Sequence, residues 1–81
     1  MQVLYFAWMR ERIGVPKEEV ETSAATVAEL VEELKARDER YAAAFADMAS
    51  VRVAVDQELT ELSASIKDAR EVAFFPPMTG G

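Results

Sequence analysis

The sequence predicts an α+β domain, a mixed sheet of four to five strands with one main helix packed on one face. Three observations carry that prediction. β-rich segments sit at both ends and again near Val53, a capped amphipathic helix lies between them, and 81 residues leave room for one hydrophobic core. With 51% hydrophobic and 30% charged residues, and only three Gly and three Pro, the composition is that of an ordered globule.

Val3 to Met9, VLYFAWM, is dense in β-branched and aromatic side chains and too short for a buried helix, so it reads as the first strand. Period two places Val3, Tyr5 and Ala7 on one face and Leu4, Phe6 and Trp8 on the other. Gly14 and Pro16 then mark a turn, and Glu18 to Thr22 alternates weakly around Val20 as an edge-like strand. Thr26 and Glu29 have the spacing of a capping box, in which the hydroxyl accepts from a first-turn amide and the carboxylate reaches back to the cap amide. The helix it opens carries Val27, Leu30, Val31 and Leu34 on one stripe, with Glu29, Glu32, Glu33, Lys35 and Arg37 around the rest. Glu39 to Asp47 reads as a short helix with Tyr41 and Phe45 one turn apart. Val51, Val53 and Val55 alternate with Arg52, Ala54 and Asp56, a half-buried strand. A turn at Asp56 to Glu58 leads to the apolar pair Leu59 and Leu62, a polar stretch from Ser63 to Arg70, and a last strand, Glu71 to Phe75.

One helix shields one face of a sheet, so the other face stays open. By the parity above, Phe6 and Phe75 fall on that open side, and an exposed aromatic patch points to a protein interface. A register shifted by one residue would instead turn both rings into the core.

Composition excludes more than it proposes. Without Cys or His there is no disulfide, thiolate, imidazole base or common metal-ligand set, and a lone small domain rarely closes a pocket around carboxylates and lysines. A carrier or binding module is expected. Fifteen acidic against nine basic residues, net −6, is the wrong sign for a nucleic-acid backbone; it suits steering towards a basic partner, or simply solubility. No apolar run approaches membrane-spanning length and the first residues do not resemble a signal peptide, so the expected location is cytoplasmic, away from membranes.

The chain closes with FFPPMTGG. Pro76 and Pro77 cannot donate to a strand ladder, which divides the chain into a folded domain, 1–75, and a projecting tail, 76–81. From Pro77 to Gly81 an extended chain reaches on the order of 15 Å, enough to enter a pocket on another protein. Gly80 and Gly81 carry no side chains, so a narrow channel could admit them and leave the Gly81 carboxylate open to attack on an activating phosphate. The alternative is an idle terminus, where glycine commonly gathers.

FFPP-x-T-GG after EVA, together with VLYFAWMRERIG at the start and TVAELVEEL between, resembles the MoaD-type small subunits of molybdopterin synthase, sulfur carriers of the ubiquitin-like MoaD/ThiS family. The likeness spans the whole chain, and the strand order fits a ubiquitin-like β-grasp. It implies that Gly81 is adenylated by a partner enzyme of the ubiquitin-activating type (MoeB type), which uses ATP, and becomes a C-terminal thiocarboxylate. Pro76, Pro77, Met78, Thr79 and Gly80 would thread into the active site of the large subunit (MoaE type), where sulfur passes to cyclic pyranopterin monophosphate to form the dithiolene of molybdopterin. The resemblance implies that catalytic groups belong to the large subunit of a heterotetramer, that the carrier itself holds no cofactor or metal, and that Phe6, Leu59 and Phe75 form the partner interface. Arg10 and Glu11 match the RE that follows the first strand in relatives, and a solvated turn explains them equally well.

One departure stands out. Relatives usually place a D-G-D-type turn before EVAFFPP, whereas this chain has Asp68-Ala69-Arg70, with no glycine to take a positive φ. Other functions with the same fold stay open: a carrier for thiamin synthesis or tRNA thiolation, or a ubiquitin-like modifier joined to lysines. An ordinary interaction domain would leave the last two glycines dispensable.

Overall fold

The computed structural model describes residues 1–77. Among these, five strands form one sheet: β1 Gln2–Tyr5, β2 Lys17–Glu19, β3 Arg52–Val55, β4 Glu58–Thr60 and β5 Glu71–Phe75, in the order β2-β1-β5-β3-β4. β1 runs parallel to β5 and the other neighbours are antiparallel, so the last strand lies at the centre of a mixed sheet, bonded on both edges. Helices α1 Trp8–Ile13, α2 Val27–Arg37 and α3 Glu39–Ala44, with a 3₁₀ turn at Met48–Ser50, complete the described chain.

The predicted main helix is α2. Thr26 caps it, its hydroxyl accepting from the Glu29 amide at 3.2 Å, while the Glu29 carboxylate accepts from the Thr26 hydroxyl at 3.2 Å. Val27, Leu30, Val31 and Leu34 are all buried, so the 3.6-residue period names the face that meets the sheet. Asp38 both ends α2 and caps α3, whose Tyr41 turns inward with Phe45 just beyond its end. These residues join Val3, Tyr5, Val53, Val72 and Phe74 in a single core on one side of the sheet. Phe74 sits at its centre, edge-on to Phe45 with centroids 4.9 Å apart and stacked at 6.3 Å on Tyr5.

The first strand is shorter than predicted. β1 ends at Tyr5, Phe6 and Ala7 turn the chain, and Trp8 and Met9 open α1 where the sequence reading extended a strand. The Met9 amide donates to the Phe6 carbonyl at 3.2 Å, closing a turn whose second residue, Ala7, has φ 54° and ψ −132°. That region favours glycine. Met9 and Ile13, four residues apart, are buried beneath the turn, and Gly14 ends α1 at φ 99°. The spacing of Met9 and Ile13 before Gly14 is a short helical signal, masked by the β-rich composition of the preceding residues. The edge strand is shifted as well as shortened: it runs Lys17–Glu19 where Glu18 to Thr22 was expected, and Val20 is buried just beyond its end.

The glycine-free turn before β5 finds its left-handed residue at Asp68, φ 67°, with the Ala69 amide donating to the Ile66 carbonyl at 3.0 Å. Aspartate tolerates this region better than most side chains, so the turn forms without the glycine of relatives. Between β3 and β4, Asp56 and Gln57 both have positive φ, as a two-residue hairpin requires. Asp56 also accepts from the Arg70 and Glu71 amides at 2.9 and 3.0 Å, tying the hairpin to the start of β5.

Candidate functional site

The face opposite the helices is built by period two. Leu4 of β1 lies beside Ala73 of β5, Ala73 beside Ala54 of β3, and Ala54 beside Leu59 of β4, one apolar row across four strands. The next row holds Phe75 and Arg52, in register with one another. Phe6 extends it on the far side, its amide donating to the Phe74 carbonyl at 3.1 Å. Phe6 is 44% exposed and Leu59 72%, while Phe75 is half-buried. The structure thus brings Phe6, Leu59 and Phe75 onto one face, and the ring sent into the core is Phe74. Alanine at positions 54 and 73 keeps the centre of this face low between its larger side chains.

The Ala7 turn positions the patch. It carries the chain back towards the helical side immediately after Phe6, so Phe6, just past the end of β1, is the last outward residue before the turn. At the same end of the sheet β5 stops at Phe75 and continues through Pro76 and Pro77, both half-buried. Met78, Thr79, Gly80 and Gly81, the rest of the predicted tail and its reactive residue, lie outside the described residues.

The strongest polar cluster is on the other side of the sheet. The Tyr5 and Tyr41 hydroxyls both donate to one oxygen of Glu18 at 2.7 Å, and Arg37 meets the second at 3.4 Å. Burial, reinforced by the Glu18 carboxylate, pushes both phenols above their ordinary value, so they stay protonated donors. On the surface, the Arg40 amide holds the Asp38 carboxyl below the usual range. These groups explain helix docking and capping. They do not face the apolar patch.

A hollow of about 400 Å³ opens among Met1, Thr22 to Ala25 and Ile66 to Ala69, and another of about 440 Å³ lies between α1 and α3, lined by Trp8, Arg12, Ala43 and Asp47. Arg12 stacks over Trp8 at 5.6 Å. Among the described residues no three Cys, His, Asp or Glu side chains are grouped to hold a metal, and no helix is long and apolar enough to cross a membrane. What this arrangement offers is a flat apolar face beside the root of a C-terminal segment.

A mixed five-stranded sheet that grips one main helix, with its final strand at the centre, is a ubiquitin-like β-grasp. The sequence profile described as the ThiS family matches residues 3–81, and the chain belongs to that family. It is 38% identical over 81 residues to the molybdopterin synthase sulfur carrier subunit of Haemophilus influenzae, covering 100% of this chain and 99% of that one. The protein of the same name from Escherichia coli K12 is 40% identical over 81 residues, with the same coverage. Among solved structures, a Pyrococcus furiosus protein assigned as molybdopterin converting factor, subunit 1, superposes with a TM-score of 0.74 at 33% identity, covering 95% of each chain. SAMP1 from Haloferax volcanii also gives 0.74, at 23% identity over 100% of this chain and 98% of that one, a likeness of fold.

Proposed function

We propose that this chain is the sulfur carrier subunit of a molybdopterin synthase, working in the cytoplasm. The observation that carries the reading is full-length similarity, at 38–40% identity, to two proteins bearing that name. The motif FFPPMTGG supports it, and so does the sheet, which fixes the root of that motif to its most firmly held strand.

In this reading Gly81 is the reacting residue. A carboxylate is a poor acyl donor until it gains a leaving group. Attack of the Gly81 carboxylate on the α-phosphate of ATP, in an activating enzyme of the MoeB type, releases pyrophosphate and leaves an acyl adenylate. A sulfur nucleophile then displaces AMP, and the carrier leaves with a thiocarboxylate. Within the large subunit, of the MoaE type, that sulfur bonds to cyclic pyranopterin monophosphate, and water cleaves the acyl–sulfur bond so formed, which leaves the sulfur on the pterin and restores the Gly81 carboxylate. The carrier's own residues bind and position: Phe6, Leu59 and Phe75 dock, Pro76 to Gly80 thread, and the folded domain, 1–75, holds the tail, 76–81, in place. No cofactor resides on the carrier.

Intact-mass measurement of the protein from its native host tests this reading. The expected species has one terminal oxygen replaced by sulfur. A carrier that stays a plain carboxylate while the host makes molybdopterin would sink the proposal. Recovery with a thiazole-forming enzyme, in place of a large synthase subunit, would move it to another sulfur-transfer pathway.

A further inference from the structure

In the row of the open face that holds the two aromatic rings, one side chain is out of keeping with its neighbours. Arg52 stands in register with Phe75, beside the apolar residues Leu4, Phe6, Ala54, Leu59 and Ala73, whereas the other cation of this face, Lys17, lies beside Leu4 on the outer strand, away from Phe75. Its guanidinium is tethered by one nitrogen, Nη1, which donates to the Ala49 and Val51 carbonyls at 3.1 Å each. Among the described residues no carboxylate lies within ion-pair distance of it, although the chain carries fifteen acids.

These facts conflict with a purely apolar docking event. A protein that covers Phe6 and Phe75 must also strip water from Arg52. Two neutral carbonyls satisfy one nitrogen and leave the remaining donors and the full positive charge uncompensated. An unpaired charge in a dry interface is strongly unfavourable, whereas a paired one can contribute to both association rate and lifetime. The tether matters too, because a guanidinium already held at one nitrogen loses less freedom when a partner engages the rest.

We propose that Arg52 is the charged anchor of this docking face, and that the protein receiving the tail presents a carboxylate to it beside the apolar pocket that takes Phe75. The inference rests on the docking role given above to Phe6, Leu59 and Phe75, and it adds the chemistry of the surface that fits them.

The test is calorimetric titration of the full chain with the large molybdopterin synthase subunit of the same organism, at low and at raised salt, using wild type, Arg52→Leu, Arg52→Glu and Phe75→Ala. Wild-type affinity should fall as salt rises. Both Arg52 variants should bind at least about tenfold more weakly, and the gap between wild type and Arg52→Leu should narrow as salt rises, while the gap between wild type and Phe75→Ala stays the same. Equal or tighter binding by Arg52→Leu, with Phe75→Ala still impaired, overturns the anchor and leaves the docking face standing. If neither Arg52→Leu nor Phe75→Ala weakens binding, the docking role itself falls and takes the anchor with it. Thermal unfolding of each variant alone separates loss of fold from loss of contact, and Arg52→Gln replaces the leucine variant should that one prove unstable.

Discussion

At the residue scale, Ala7 and Glu18 show how single positions hold the patch in place. Ala7 adopts φ 54° and ψ −132°, a conformation disfavoured for a side chain with a Cβ by on the order of 1–3 kcal/mol. Ala7→Gly should therefore stabilise the domain by about 1 kcal/mol after the added chain entropy of glycine, raising Tm by roughly 4–8 °C in a thermal melt. No gain would mean that the turn is relaxed as it stands. Glu18 ties the edge strand to two buried phenols. Because the fold raises the Tyr5 pKa above its ordinary 10.0, the protonated phenol's stabilising contribution is intact below that pH and is lost as pH climbs past it. Tm should drop on the alkaline side of about pH 10, and Tyr5→Phe should flatten that limb; an unchanged slope would detach Tyr5 from the effect.

At the scale of elements, β5 separates stability from docking within two adjacent residues. Phe74 is fully buried between Phe45 and Tyr5, whereas Phe75 faces the open side. Phe74→Ala should cost about 3–5 kcal/mol in denaturant unfolding, as large aromatic truncations in a core do. Phe75→Ala should leave the unfolding midpoint nearly unchanged and weaken binding of the large subunit by about 2 kcal/mol. The reverse pattern would place the register one residue out. α2 was legible for the same reason that β5 was: one capping pair and one uninterrupted stripe leave a single way to bury the apolar face. α1 was not, because Trp8 and Met9 continue a β-rich run and what turns the chain is the unfavourable backbone of Ala7, which no residue type advertises.

For the whole molecule, parallel pairing of β1 with β5 puts the start of the chain and the root of the tail at opposite ends of the sheet. A tag after Gly81 should abolish sulfur transfer without lowering Tm. A tag before Met1 should cost some stability, since the terminal ammonium meets the Val20 carbonyl at 3.3 Å and the Glu19 carboxylate at 3.6 Å, yet transfer should survive. Equal activity of the two tagged forms, in an assay of dithiolene formation, would refute a mechanism that works through the terminal carboxylate.

Local pattern alone was enough for the helix, for the strands around Val53 and Val72, and for the outward parity of Phe6 and Phe75, because periodicity and caps act over a few residues. The motif FFPPMTGG is also a property of the linear chain. Which strands are neighbours was decided only by folding. Hydrogen bonding between segments distant in sequence sets Leu4 beside Ala73 and Phe75 beside Arg52, and so turns scattered side chains into one face with a cation at its edge.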